Sequence, residues 1–174
     1  MLVISNHVKK IGLPIPRGAV VRINIAWLES VGGLAQLIWE NSTHDVWVDY
    51  PTGRKKPPVP KIPWFDCIHI LKKYKNVKYF AFSNAEEPDT CRHIRKEIPA
   101  KIKLVPKIET VEGVRNLVAI AEASKTDMIM FDKEDLYSDL GNDPKLFEIF
   151  VDYVNKVCKE HKIQCLSLQG VIFA

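Results

Sequence analysis

Val105 to Gly141 reads VPKIETVEGVRNLVAIAEASKTDMIMFDKEDLYSDLG. An apolar run, KIKLVPKI, covers residues 101–108 and enters this stretch as a strand. A second short run, DMIMF at 127–131, reads as another strand. Between them, Val114, Leu117, Val118 and Ala121 recur at helical spacing, so residues 111–124 are expected to be helical. The unit is strand, helix, strand. An acid follows each strand: Glu109 after the first and Asp135 after the second. Lys107 lies two residues before Glu109, and the two-residue period of a strand puts both on one face.

The same alternation extends in both directions. AVVRINI at 19–25, HDVWV at 44–48, VKYFAF at 77–82 and Gln164–Leu168 read as strands, and residues 1–6 are a candidate first strand. Gly32-Gly33 is expected to break the chain before a short helix at 34–40. A helix at 64–74 shows Phe65, Ile68, Leu71 and Tyr74 at helical spacing, and one at 86–98 shows Cys91, Ile94 and Ile98. Asp143 caps a long helix with the stripe Leu146, Phe147, Phe150, Val154, Val157 and Cys158. Trp39 and Trp64 are expected in core or interface positions, and Trp27 either in the core or roofing the site. A Pro-rich loop runs over 51–63. Such a length of irregular chain is usually functional or mobile.

Several strands are apolar on both faces, which argues a parallel sheet covered by helices. One α/β domain over residues 1–174 is expected. An open doubly wound sheet and a (β/α) barrel both fit. An eight-fold barrel usually takes about 250 residues. A barrel of this length is therefore short or incomplete, and its bare strand edges favour a homo-oligomer.

Net charge is +4, spread along the chain. The one basic cluster, Arg54-Lys55-Lys56, reads as solvated surface, with an anionic-substrate contact as the alternative, and no basic–aromatic interleaving marks a nucleic-acid partner. Cys67, Cys91, Cys158 and Cys165 form no C-x-x-C pair and read as reduced thiols. No apolar run approaches the ~20 residues of a membrane span, and the first residues do not read as a signal peptide. A cytoplasmic protein with no membrane partner is the expectation. The common Gly-rich phosphate loops and the G-x-S-x-G elbow do not occur.

In parallel α/β folds the site lies at the carboxyl ends of strands. Glu109 and Asp135 stand there and could share one hard cation. Acids at such places also serve as helix caps or surface charge, and Glu109 or Thr110 could start the helix at Val111. Arg22, inside a strand, demands an anionic partner.

The stretch KIETVEGVRNLVAIAEAS…TDMIMFDKEDLYSDLG resembles the phosphoenolpyruvate/pyruvate-binding barrel superfamily. IET, GVRN, EDL and DLG look like the HpcH/HpaI aldolase and citrate lyase β-subunit branch, as does the spacing of 26 positions from Glu109 to Asp135. KIE, EGVR, EAS and D-x-I-M look like pyruvate kinase, and AVVRIN resembles segments of both branches. The resemblance implies a short TIM-type barrel of parallel strands with outer helices. It implies Mg²⁺ or Mn²⁺ on Glu109 and Asp135, and a catalytic or substrate-binding Arg22 facing an enolate or phosphate. Lys107 matches a catalytic lysine of pyruvate kinase that the aldolase branch generally lacks. Asn24 and Asp49 match its monovalent-cation ligands and count as substrate-site residues. The backbone N–H groups of Lys133, Glu134 and Asp135 would hold the substrate carboxylate at the start of a turn.

The resemblance also has gaps. Ala26, Tyr50 and Leu168 stand where pyruvate kinase has hydroxyl side chains, and the kinase's lid is missing. The aldolase histidine has no clear counterpart, with His7 and His44 the only nearby candidates. Three readings follow. The first is a metal-dependent carbon–carbon lyase or aldolase acting on a 2-oxo acid or citrate-type acyl substrate through an enolate. The second is a pyruvate-kinase-like phosphoryl-transfer domain using phosphoenolpyruvate. The third is a degenerate barrel kept for ligand binding or assembly.

Overall fold

The computed structural model describes residues 1–7, 14–53 and 57–167. The expectations for Leu168 and for the basic cluster Arg54-Lys55-Lys56 lie outside these residues. The described chain forms two compact units, one built mainly from Met1–Ala81 with Pro99–Lys103, the other from Phe82–Ile98 with residues 104–167.

The first unit opens with strands β1 (Val3–Ser5), β2 (Val20–Asn24) and β3 (Val46–Tyr50). They pair in parallel, with Val3 opposite Val20 and Val21 opposite Val46. Val21, Ile23, Val46 and Val48 are fully buried, as expected for strands covered on both faces. Helix α1 (Val31–Glu40) includes Gly32 and Gly33, which were expected to precede it. The Ser30 hydroxyl accepts the Gly33 N–H at 3.2 Å, and this cap offsets the ~1 kcal/mol that each glycine costs in a helix. Leu34 and Ile38 anchor α1 in the core, and Trp39, off that face, is exposed and so not a core residue.

Helix α2 (Trp64–Lys73) buries Cys67, Ile68, Ile70 and Leu71. Phe65, expected on the apolar face, is 77% exposed. Trp64 is instead the aromatic that packs, edge-on to Tyr50 at 5.0 Å and to Phe80 at 5.3 Å. Strand β4 (Val77–Phe82) follows.

β2 and β3 also carry a buried ion pair. Arg22 Nε donates to Asp49 Oδ2 at 3.0 Å, and Nη2 contacts the same oxygen. Arg22 is 9% exposed and Asp49 is fully buried.

The second unit contains α3 (Pro88–Glu97), β5 (Lys103–Ile108), β6 (Met128–Phe131) and β7 (Gln164–Ser167). The helix expected over 111–124 is interrupted at Asn116, giving α4 (Val111–Arg115) and α5 (Leu117–Ala123). The Asn116 amide donates to the Glu86 carbonyl and to the Glu112 carboxylate, at 2.9 and 3.0 Å. The first of these bonds ties the break to a backbone carbonyl 30 positions earlier in the chain. Gly113 in α4 lies against the Ala85 carbonyl, where a Cβ would come within 2.7 Å. A further helix, α6 (Lys133–Asp139), occupies what was expected to be a turn. In α7 (Pro144–Glu160) the buried stripe narrows to Val154, Val157 and Cys158, while Leu146, Ile149 and Tyr153 are exposed.

Strand order follows chain order from β1 to β7, with helices between successive strands from β2 onward. The registered pairs β1–β2, β2–β3, β5–β6 and β6–β7 are all parallel. Parallel neighbours taken in sequence with outer helices are the (β/α) barrel plan, and seven strands among the described residues make an incomplete one. An open doubly wound sheet would reverse its strand order at a switch point, and no reversal occurs. All four cysteines are free, and Cys67, Cys91 and Cys158 are buried. Burial pushes the Cys67 thiol up to about 12. No helix among the described residues is long and apolar enough to cross a membrane.

Two substitutions test this packing by urea unfolding. Gly113→Ala forces Cβ onto a backbone carbonyl and should cost about 1–3 kcal/mol. An unchanged midpoint would mean that α4 does not approach residue 85 this closely. Asp49→Ala leaves Arg22 buried without its partner and should cost about 3–5 kcal/mol. A loss under 1 kcal/mol would show that water reaches the guanidinium.

Candidate metal centre

The centre forms where β5 and β6 end. The two strands pair in parallel, with Lys107 opposite Met130 and Ile108 opposite Phe131. One residue further, the same register sets Glu109 opposite Asp132. Asp132 is the N-cap of α6, and its Oδ1 accepts the Asp135 N–H at 3.4 Å. A spacing of three residues across the first helical turn puts Asp135 on the same side. One oxygen from each of Glu109, Asp132 and Asp135 therefore lies within 4.8 Å of the others.

The three acids differ in depth. Glu109 is 4% exposed, Asp132 is half-buried and Asp135 is exposed. Glu109 is not the cap of α4, because Thr110 takes that role by accepting the Gly113 N–H at 3.1 Å. The start of α4 also receives the Asp139 carboxylate, which accepts the Val111 N–H at 2.8 Å.

Glu109 is held from three directions. Oε1 lies 2.5 Å from Lys107 Nζ and accepts the Ser83 hydroxyl at 3.3 Å. Oε2 accepts the Asn84 N–H at 2.7 Å. Asn84 has a φ of 54°, a left-handed backbone that asparagine tolerates better than most residues. Burial pushes the Glu109 carboxyl above its usual range, while Lys107 and the Asn84 N–H pull it back. Lys107 is itself 5% exposed; its Nζ also donates to Ser83 Oγ at 3.0 Å and lies 4.0 Å from Asp132 Oδ2. The shared strand face inferred for Lys107 and Glu109 is thus realised as a direct ion pair.

The donor set suits a hard cation. Three carboxylates converge, with neither sulfur nor imidazole among them, and oxygen ligands are what Mg²⁺ and Mn²⁺ prefer. Asp132 caps α6 with Oδ1 and also offers a carboxylate oxygen to the cluster. Asp132 and Ser83 were missed as site residues. Their signal was position, one residue beyond β6 and one beyond β4. Lys133 and Glu134 form the first turn of α6 beside Asp135.

The other named residues lie in the first unit. Arg22 is fixed by Asp49, so the aspartate expected as a cation ligand is engaged by a guanidinium. Asn24 Oδ1 accepts the Ala26 N–H at 2.9 Å and caps the short 3-10 turn at Ile25–Trp27. His7 Nδ1 is 3.1 Å from Ser5 Oγ, and its ring stands edge-on to Trp27, which is 58% exposed. His44 contacts the hydroxyl of its neighbour Thr43.

The chain resembles the solved structure of citrate synthase SbnG, with a TM-score of 0.71 at 17% identity over 97% of this chain and 77% of that one. It also resembles the citrate lyase beta subunit from M. tuberculosis complexed with oxaloacetate and magnesium, with a TM-score of 0.66 at 13% identity over 95% and 76% of the two chains. RipC from Yersinia pestis gives 0.60 at 17% identity, over 85% and 68%. At such identities these likenesses establish the fold. No curated protein matches the chain. The HpcH/HpaI aldolase/citrate lyase family matches residues 71–168, a segment that holds Ser83, Lys107, Glu109, Asp132 and Asp135. With more than half of its length matched, the chain belongs to the HpcH/HpaI aldolase/citrate lyase family.

Proposed function

We propose that this protein is a Mg²⁺- or Mn²⁺-dependent carbon–carbon lyase or aldolase working through a pyruvate-type or acyl enolate. One observation carries the reading: Glu109, Asp132 and Asp135 converge at the ends of two parallel strands. Family membership supports the reaction class. The substrate class is a 2-oxo acid or a citrate-type acyl compound. It is supported by the relative from M. tuberculosis, whose structure is described as a complex with oxaloacetate and magnesium.

A divalent cation, when bound, stabilises the negative oxygen of an enolate electrostatically. The chain's own residues prepare for that charge. Glu109 is kept in place by Ser83, Asn84 and Lys107 in a site that admits little water. Asp135 stands at the open side, where a substrate would approach. In the first unit Asp49 holds the Arg22 guanidinium in a fixed orientation, as an anion-binding role for Arg22 would need. The first turn of α6, at Lys133 and Glu134, is assigned to substrate binding through its backbone. The Asp135 N–H already meets Asp132, which leaves that role to the two amides before it. Asn24 caps the 3-10 turn that follows the strand of Arg22.

Lys107 beside the carboxylates is the one observation that favours the phosphoryl-transfer alternative. Pyruvate release from phosphoenolpyruvate, lost in Lys107→Met, would select it.

Mn²⁺ titration by calorimetry or electron paramagnetic resonance tests the metal site. Glu109→Ala and Asp135→Ala should each weaken binding at least about tenfold, ~1.4 kcal/mol. Unchanged affinity in both variants would sink the reading. Retro-aldol cleavage of a 4-hydroxy-2-oxo acid, which breaks its C3–C4 bond to give an aldehyde and, after protonation of the enolate, pyruvate, should require the metal and fall in the same variants.

Self-association is part of the proposal. Leu146, Ile149 and Tyr153 expose one apolar face of α7, at spacings of three and four residues. Light scattering should report an oligomer that dissociates in Ile149→Glu. A monomeric wild type would contradict this.

A further inference from the structure

Lys107 is more than a neighbour of the carboxylates. Its ammonium group lies between two of the three, 2.5 Å from Glu109 Oε1 and 4.0 Å from Asp132 Oδ2, and also meets Ser83 Oγ at 3.0 Å. Both Lys107 and Glu109 are almost wholly withdrawn from solvent. A buried carboxylate is costly without an opposite charge, and here the chain supplies that charge from two residues away on the same strand face. The cluster carries three formal negative charges and Lys107 returns one positive charge. A divalent ion placed among the same oxygens would face a like charge in a medium of low dielectric.

We infer that Lys107 is a resident counter-cation of the cluster, balancing Glu109 when no metal is bound and competing with a divalent ion for that carboxylate. The inference rests on the metal-site reading above and adds to it a built-in competitor. Because the ammonium is tethered by the strand, its effective concentration at Glu109 is high and does not depend on solution conditions. Two properties follow. The fold around β5 and β6 does not need metal to stay intact. Divalent binding is weaker than three converging carboxylates would otherwise give, and it requires the ammonium to move off Oε1. Asp132 partly offsets the competition, since it adds a third carboxylate within reach of both cations.

The test compares wild type with Lys107→Met, which keeps the length of the side chain and removes the charge. Lys107→Arg, which keeps the charge, serves as control. Mn²⁺ binding in Lys107→Met should tighten about tenfold or more, ~1.4 kcal/mol. In Lys107→Arg it should stay within about threefold of wild type, ~0.7 kcal/mol. The thermal midpoint of wild type should be nearly insensitive to chelator, whereas that of Lys107→Met should drop with chelator and recover with Mn²⁺. Wild type that binds Mn²⁺ alongside a Lys107→Met variant that binds equally or more weakly overturns this inference and leaves the metal site standing. Absence of Mn²⁺ binding in both proteins overturns the inference together with the metal site. A second measurement needs no variant. The side-chain ammonium resonance of Lys107, followed by ¹H–¹⁵N correlation in wild type, should be protected from exchange without metal and should shift or broaden as Mg²⁺ is added. A resonance unchanged at Mg²⁺ saturation would overturn the inference even if Lys107→Met does not fold.

Discussion

The second unit depends on how one buried carboxylate is kept. Glu109 sits almost out of reach of water and would be costly there as a lone anion. Three groups from two strand ends meet it: the Lys107 ammonium, the Ser83 hydroxyl and the Asn84 N–H. The last contact requires Asn84 to adopt a left-handed backbone immediately beyond β4. The turn after β4, the face of β5 and the placement of the acid are therefore coupled. Removing Lys107 leaves the buried charge unbalanced, and removing either neutral donor leaves it short of a hydrogen bond.

Parallel register then turns a local arrangement into a site. Because β5 and β6 advance in step, the residue after each strand emerges at the same level, and two acids meet without any sequence proximity. The helix that follows β6 brings a third, one turn along. The same logic operates in the first unit, where Arg22 of β2 finds Asp49 near the end of β3. There the pairing neutralises both charges and leaves a guanidinium of fixed orientation. In the second unit the charges do not cancel, and the excess of carboxylate is what makes a cation site chemically reasonable.

Other features show how tertiary context overrides local preference. Gly32 and Gly33 lie within a helix because Ser30 caps it and Leu34 and Ile38 anchor it. Phe65 and Trp39 are large and apolar, yet both face outward because smaller residues on the opposite face of each helix fill the core. The apolar stripe of α7 is wider than the surface available to bury it, so its N-terminal part remains exposed.

By itself the sequence determined the alternation of strands and helices, the parallel sheet and the family. Each of these is written in short-range periodicity or in the contiguous run from Lys107 to Gly141. It also placed Lys107 and Glu109 on one face, since a strand's two-residue period needs no tertiary information. Only the tertiary structure decided that Asp132 joins Glu109 and Asp135, that Ser83 and Asn84 hold the buried acid, and that Asp49 is committed to Arg22. Those contacts span 23 to 27 positions of sequence and are set by strand register, which a one-residue slip would undo. The exposure of Trp27 and Phe65 belongs to the same class. Hydrophobicity states what a side chain prefers, but the space left by its neighbours decides where it goes.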